Sequence, residues 1–292
     1  MRTSPVPVQD PTHAYATVVV VGGGCYGSYY VRQLARARAA GALSWQRLIV
    51  VDRDPQCRVV REAPAVPDLV VACAEWGPWF DEWLATPRAA DDRDAIVPSP
   101  LMPHLMAEWI ARRIGDAQSQ TQSQTQSQTQ SQTQSQTQRE TPGDAQRGAA
   151  PRPVPLARIP STPWQRAGED GTHYVSFAEW MCPVNCVEPA VCPAIAGPRT
   201  WSMPRHVAAY VAAERERGRP IAGPVVLHCA HRAYGVGMFD VRAVQAGAAL
   251  AADAVRQVAA DRDGTPDHLL VATVSHCHGA WTLLPLSGAA SR

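Results

Sequence analysis

Short apolar runs without polar alternation recur along the chain, and they constrain its fold more than any other feature. In chain order they are TVVVV at residues 17–21, LIVV at 48–51, LVVAC at 69–73, AIVP at 95–98, PVVLHC at 224–229 and LLVATV at 269–274. Strands that are buried on both faces have this composition, which is typical of parallel sheets. The runs therefore predict an α/β protein built on buried strands.

Helical periodicity fills the segments between these runs. The last two runs are separated by apolar residues at alternating three- and four-residue steps, namely Val241, Val244, Ala248, Ala251, Val255 and Val258. Further helices are predicted after Pro78 and after Pro103. Alternating strands and helices indicate a doubly wound, mostly parallel sheet, interrupted between its fourth and fifth strands by a Cys/Pro-rich insertion. Two separate domains are the alternative.

A repeat of Gln alternating with Ser or Thr at residues 118–138 divides the chain. The repeat has no apolar face to bury, so it predicts disorder. The predicted organisation is a four-stranded first part at residues 1–115, a disordered linker at 116–150 and the insertion at 151–223. A final βαβ part at 224–292 is expected to complete the same sheet.

The composition excludes several classes of function. The formal net charge is +1, so no excess of positive charge favours nucleic acid. The chain contains no Lys, which excludes P-loop ATPases of the usual kind and Schiff-base mechanisms. No apolar stretch is long enough for membrane insertion and the N-terminus lacks a signal-peptide layout, so the sequence predicts a cytoplasmic protein. In that reducing compartment the eight cysteines are interpreted as metal ligands, reactive thiols or buried apolar residues.

A glycine-rich loop follows the first apolar run. Gly22, Gly24 and Gly27 occupy the G-x-G-x-x-G positions, where they allow a tight turn, backbone approach to a pyrophosphate and close helix packing. The second run ends in Asp52, whose carboxylate would accept hydrogen bonds from an adenosine ribose and repel a 2′-phosphate, although Arg53 blurs the choice between NAD and NADP. The alternative is that the glycines only make the turn.

On these residues, about the first hundred positions resemble the NAD(P)-binding Rossmann superfamily, particularly the TrkA-N-like nucleotide-binding domains of potassium-uptake regulators. The resemblance implies phosphate contacts at Gly22, Gly24 and Gly27 and a ribose contact at Asp52. Cys25 lies in the same loop and is included among the predicted cofactor-binding residues.

The insertion carries a second motif, in which Cys182, Cys186 and Cys192 form a C-x3-C-x5-C-P arrangement. Intervening prolines keep the segment from becoming a helix, so the three thiols can converge on one centre. The motif is weakly similar to a ferredoxin cluster loop, although its spacing differs from both the bacterial and the plant type. The sequence predicts a metal site here, with buried or redox-active free thiols as the alternative.

Two short segments at the ends of the last two runs, called the two tripeptides below, each offer two histidines and one cysteine as further metal ligands. His228, Cys229 and His231 end the fifth run, and the sixth is followed by a matching set, His276, Cys277 and His278. Thiolate and imidazole are ligands that zinc and iron prefer, so a fourth ligand is expected among these residues. Four arginines flank or lie on a short predicted helix and are interpreted as a solvated face, namely Arg205, Arg215, Arg217 and Arg219.

These patterns favour an NAD(P)-binding redox protein whose Cys-ligated metal centre, an iron–sulfur cluster, lies beside the nucleotide. Its expected partners are the nucleotide and a small-molecule or electron-transfer partner. One alternative is a non-catalytic nucleotide-sensing module with a structural zinc site. A zinc-dependent hydrolase or lyase is less favoured because no HExxH motif is present.

Overall fold

A computed structural model of the chain describes residues 13–62, 65–89, 92–133, 148–158, 160–178, 182, 186–260 and 265–287. The strands are β1 Ala14–Val21, β2 Ser44–Asp52, β3 Leu69–Cys73, β4 Asp94–Val97, β5 Trp164–Ala167, β6 His173–Ser176, β7 Val191–Cys192, β8 Gly197–Pro198, β9 Ile221–His228, β10 Ala230–Ala233, β11 Val236–Asp240, β12 His268–Val274 and β13 His278–Pro285. The helices are α1 Cys25–Ala39, α2 Arg58–Glu62, α3 Trp76–Ala85, α4 Leu105–Thr133, α5 Met203–Glu216 and α6 Val241–Ala259.

The chain divides into two compact units, each assembled from three segments. Unit 1 takes residues 1–103, 181–200 and 228–242, and unit 2 takes residues 104–180, 201–227 and 243–292. The unit boundaries therefore fall at positions different from the predicted part boundaries.

Unit 1 contains a six-stranded sheet in the order β10-β11-β4-β1-β2-β3. Strand β1 pairs in parallel with β2 and β4, and β2 pairs in parallel with β3. Strands β11 and β10 extend the β4 edge in antiparallel fashion. Val18 and Val20 of β1 pack in one cluster with residues on the buried side of α1, namely Val31, Leu34 and Ala37. This packing fixes the turn between β1 and α1, where the glycine-rich loop lies.

Unit 2 contains a five-stranded sheet in the order β5-β6-β13-β12-β9. Strands β12 and β13 form a hairpin that pairs from His268 with Pro285 to Val274 with Gly279, and the pairs β13–β6 and β6–β5 are also antiparallel. Helix α5 packs Val207 and Val211 against this sheet, in one cluster with the fully buried Trp281.

The prediction of one doubly wound, mostly parallel Rossmann-like sheet is wrong. The six apolar runs are strands, but the fifth and sixth form β9 and β12 of a separate sheet, in which β12–β13, β13–β6 and β6–β5 pair in antiparallel fashion. Both faces of β12 and β13 are buried almost throughout, so an antiparallel strand here has the same continuous apolar composition as a parallel one. The runs indicated burial correctly, but burial alone does not decide strand direction.

Helix α4 differs from the prediction at the repeat. It continues past Asp116, where the sequence predicts that order ends, and Gln118 Nε2 donates a hydrogen bond to the Leu286 carbonyl oxygen at 2.9 Å. The helix ends at Thr133, and residues 134–147 of the predicted linker lie outside the described residues. Among the described residues, no helix combines the length and the apolar composition needed to cross a membrane.

Candidate nucleotide site and cysteine–histidine residues

The turn between β1 and α1, residues 22–24, is the glycine turn. Gly22 has φ of +85°, in the left-handed region that favours glycine. Gly24 caps α1 in an extended conformation, and Cys25 is the first helical residue. The chain therefore passes directly from β1 into α1. The backbone conformation that this requires at Gly22 is one that a residue with a side chain does not readily adopt.

Gly27 allows helix α1 to pack closely against this turn. A β-carbon at Gly27 would lie 1.8 Å from the Gly22 carbonyl oxygen, far inside van der Waals contact. Only glycine therefore permits α1 to approach the end of β1 this closely.

Gly24 has the opposite environment. A β-carbon there would meet no described atom within 4 Å, so the space beside its Cα is open. The first N–H groups of α1 have no intrahelical acceptor by helix geometry, and the first helical turn contains no acidic residue. The arrangement offers backbone donors and a positive helix end next to an open space, which suits an anionic group.

Asp52 ends β2 beside the turn. Its Oδ2 accepts a hydrogen bond from the Gly23 amide at 2.6 Å, and its Oδ1 accepts one from the Asp54 amide at 2.8 Å. The carboxylate thus has a structural role in the turn, and each oxygen retains lone-pair capacity for a further donor such as a ribose hydroxyl.

Cys57 and Trp76 pack against the glycine turn, although the sequence analysis does not assign them to the site. Cys57 Sγ occupies the space beside Gly23, 2.3 Å from where a β-carbon would lie, and Cys57 is buried. Trp76 donates from Nε1 to the Val51 carbonyl oxygen at 2.9 Å, and its ring lies 3.3 Å from the position of a Gly22 β-carbon. A tryptophan after a Cys-Ala-Glu segment carries no motif, so no sequence signal identified it.

Two thiols in this region are exposed. Cys25 lies at the start of α1, and Cys73 ends β3 in register with Asp52. Cys73 Sγ contacts the Arg53 carbonyl oxygen at 3.5 Å. Both thiols are accessible to solvent-borne reagents.

The cysteine motif of the insertion lies in unit 1. Cys182 and Cys186 are half-buried, and Cys192 is buried in the β7–β8 hairpin, where it pairs with Gly197. Within the part of the chain that the structure describes, none of the three is in a disulfide. Glu188, between them, adopts φ of +51°.

The first tripeptide lies where the chain leaves one sheet for the other. His228 ends β9, Cys229 follows it, and β10 begins at Ala230. Cys229 Sγ and the His231 ring both pack against Gly237, at 2.8 Å and 3.0 Å from the position of its missing β-carbon. Burial, reinforced by the negative charge of Glu188, raises the pKa of the Cys229 thiol to about 12. This thiol is therefore protonated at neutral pH.

The second tripeptide is a hairpin turn in unit 2. Ser275 Oγ accepts the amide hydrogens of Cys277 and His278, both at 3.2 Å, and the Ser275 amide donates to the His278 carbonyl oxygen. His276 accepts a backbone hydrogen bond from the Met203 amide. Trp201 donates from Nε1 to the buried Cys277 Sγ at 3.4 Å. The segment thus turns β12 into β13 instead of ending a parallel strand.

The predicted metal ligands do not form a site as they are placed. Among the described residues, no group of three or more His, Cys, Asp or Glu side chains is arranged so that it could hold a metal ion. A tetrahedral zinc site or an iron–sulfur cluster requires a convergent set of at least three protein ligands. The structure therefore does not fit either group at these residues.

Comparison with known proteins gives a match to a protein family. The family model AF_1314_C, described as an uncharacterized protein, C-terminal domain, matches residues 106–287. No curated protein and no solved structure matches the chain.

Proposed function

The chain belongs to the AF_1314_C family, whose description names no activity, and we infer from the glycine turn that unit 1 binds NAD or NADP and that the protein acts in redox chemistry. The observation that carries this proposal is the open space beside Gly24 at the start of α1. A pyrophosphate placed there would accept hydrogen bonds from the unpaired N–H groups of the first helical turn.

Asp52 supports the same proposal. Its carboxylate is bonded to Gly23 at 2.6 Å, so a ribose next to the pyrophosphate would lie within reach of a fixed acceptor. A fixed carboxylate also repels a 2′-phosphate, which favours NAD over NADP. The Arg53 side chain beside it would act in the opposite direction.

When bound, the nicotinamide would donate a hydride to a small-molecule or electron-transfer partner, or accept one from it. The residues of this chain would bind and orient the nucleotide: the α1 amides hold the phosphates, Asp52 holds the ribose, and Gly22 and Gly27 fix the turn that positions both.

A titration with NADH, followed by its fluorescence, tests the proposal. We expect wild-type protein to bind NADH and Gly24→Ala and Gly24→Val to lose the signal progressively, because added carbon fills the open space. Gly197→Ala is the matched control, since a β-carbon there makes only ordinary contacts of 3.6 Å or more. Failure of wild-type protein to bind either nucleotide at millimolar concentration would remove the proposal.

The metal centre is a separate question, because the described ligands do not fit one. We derive no step through a cluster. Metal analysis of anaerobically purified protein tests the sequence-based prediction directly. Iron and sulfide together with an absorbance band at about 400 nm would support the iron–sulfur prediction. Stoichiometric zinc would favour a nucleotide-sensing module with a structural zinc site.

A further inference from the structure

The two large sheets end in four edge strands within the described residues. Unit 2 has β5 and β9 at the edges of its sheet, and unit 1 has β10 and β3. An edge strand presents unpaired N–H and C=O groups, and proteins discourage further pairing there with charged side chains, prolines, β-bulges or covering groups. An edge that lacks all of these features is a candidate for an interface.

Three of the four edges carry such a feature. Strand β5 has the exposed Arg166. Strand β9 includes Pro224, and the Arg215 guanidinium donates to two of its backbone carbonyl oxygens, at 2.9 Å and 2.7 Å. Strand β10 pairs with β11 through an irregular register. A further strand added at these edges would meet a charge, a residue without an N–H group or an interrupted ladder.

Strand β3 has none of these features. Its sequence, LVVAC from Leu69 to Cys73, contains no charged residue and no proline, and it pairs with β2 in unbroken parallel register. Val70 is 54% exposed and Cys73 is exposed. A regular, apolar and exposed edge strand of this kind is a template for pairing with another strand.

Two backbone hydrogen bonds show which groups of the β3 segment face outwards. The Leu48 amide donates to the Asp68 carbonyl oxygen, and the Ala74 amide donates to the Asp52 carbonyl oxygen, both at 3.0 Å. On the β3 side these bonds to β2 are made by even-numbered residues. Because alternate residues of a strand in a parallel ladder bond to the same neighbour, the N–H and C=O groups of the odd-numbered residues of β3 face away from β2.

We propose that β3 pairs with β3 of a second copy of this chain, in antiparallel fashion and with a two-fold axis at Val71. The two Val71 residues then exchange both of their N–H···O=C bonds across the axis. The Cys73 amide of each copy donates to the Leu69 carbonyl oxygen of the other. The Leu69 amide is already directed at the Val66 carbonyl oxygen of its own chain, at 3.4 Å.

The sequence of β3 is complementary to itself in this register. Away from the axis, a larger side chain of one copy faces a smaller side chain of the other, and such directly opposed pairs stabilise a sheet. No like charges face each other at the flanks, because Asp68 lies opposite Ala74. A two-fold pair also covers both edges at once, which favours a second copy as the occupant. The opposed pairs are Leu69 with Cys73, Val70 with Ala72 and Val71 with Val71.

Sedimentation velocity of the full chain tests the proposal. A pair of five-residue strands is smaller than a standard interface of about 800 Å² per partner, so we expect a reversible dimer that forms between about 1 and 100 µM. Val71→Pro should weaken the dimer about tenfold or more, because it removes the amide at the axis. That amide faces away from β2, so the fold should be retained, as circular dichroism would show. The measurement contains no nucleotide and is therefore independent of the proposed NAD(P) site.

A second variant leaves the backbone unchanged. Val70→Lys places a cation on an exposed position of β3 and should also weaken the dimer about tenfold or more, since lysine is a common protecting residue of natural edge strands. Leu101→Lys is the matched control, because Leu101 is 69% exposed in unit 1 outside β3, and it should dimerise as wild type does. A wild-type chain that stays monomeric at about 100 µM would overturn the proposal, as would equal dimerisation of wild type, Val71→Pro and Val70→Lys.

Disulfide cross-linking tests the register. In a variant that also carries Cys25→Ser and Cys73→Ser, Val71→Cys should give a covalent dimer when diamide accepts the two thiol hydrogens, because opposed Cα atoms of a hydrogen-bonded pair lie about 5.5 Å apart. Val70→Cys in the same background is the control and should give none, since its diagonal separation of about 7–8 Å exceeds the span of a disulfide. A covalent wild-type dimer linked through Cys73 would move the axis to that residue and contradict the proposed pairing.

Discussion

The Asp52 carboxylate holds the amide of Gly23, with 2.6 Å between Oδ2 and the backbone nitrogen. The bond joins the end of β2 to the turn after β1, so a residue placed to recognise a ribose also stabilises the loop that would hold the phosphates. A ligand-binding effect and a stability effect therefore coincide at Asp52, and substitutions there report on both.

Asp52→Ala should lower the free energy of unfolding by about 1.5–3 kcal/mol, because the Gly23 amide loses a charged acceptor. Asp52→Asn should cost less, since its amide oxygen can still accept. Urea unfolding followed by circular dichroism measures both. Equal stability of Asp52→Ala and wild type would show that the bond contributes nothing, and loss of NADH binding in Asp52→Ala could then be assigned to the ribose contact.

Gly27→Ala and Gly24→Ala should differ sharply although both add one methyl group to the same turn. At Gly27 the new carbon would meet the Gly22 carbonyl oxygen at 1.8 Å, so α1 must shift and we expect a loss of about 3 kcal/mol or more. At Gly24 the space is open, and the cap and chain-entropy effects nearly cancel, so the change should stay within about 1 kcal/mol. Urea midpoints measured side by side decide; similar losses in both variants would contradict the geometry.

Acid should destabilise unit 2 through His206. This ring packs against Phe177 and Trp281, with centroids at 5.1 Å and 5.7 Å, and burial lowers its pKa below the ordinary value of 6.5. The unfolded chain therefore binds the proton more readily, so the His206 contribution is complete above about pH 6.5 and is lost as the pH falls below it.

His206→Phe should flatten the fall of the urea midpoint between about pH 7.5 and 5, since it keeps a ring and removes the titrating group. Phe177→Leu alters the same packing without a titrating group and should keep the wild-type slope. An unchanged slope in His206→Phe would assign the acid sensitivity to His13 or His173, whose pKa values burial also lowers.

The cysteines should alkylate in a defined order. Cys25 and Cys73 are exposed, whereas Cys57, Cys192 and Cys277 are buried. Cys229, whose pKa is raised to about 12, carries almost no thiolate at pH 8. Iodoacetamide labelling of native protein, followed by peptide mass mapping, should therefore modify Cys25 and Cys73 first. Rapid labelling of Cys229 would show that its thiol is more accessible than the structure places it.

The sequence predicts the positions of the strands more reliably than their partners. All six apolar runs are strands, and the first four do pair in parallel. Strand β13 escaped prediction because the hairpin turn at residues 275–278 contains no Gly, Pro or Asn to announce it; it depends on Ser275 instead. When that turn is not recognised from the sequence, the apolar composition of β12 predicts one more parallel strand.

The candidate site shows the same division. The roles of Gly22 and Gly27 follow from motif spacing because they depend on local backbone geometry. The contributions of Cys57 and Trp76 depend on residues distant in sequence that pack beside the turn, and no local pattern records such packing. The ion pairs of Arg217 and Arg219 have the same cause: the burial of Glu214, their shared partner, is a property of the packed helix and not of a local pattern.

The six-stranded sheet takes its strands from distant parts of the sequence, which affects folding during translation and the choice of expressed segment. Strands β10 and β11, which cover the β4 edge, come from residues 230–240, so during translation that edge stays uncovered until those residues have left the ribosome. An uncovered edge is a site of unwanted strand pairing. The segment 106–287, matched as a C-terminal domain, contains β10 and β11 but none of β1–β4. Expressed alone, it would carry the β10–β11 pair without β4, the strand against which β11 pairs.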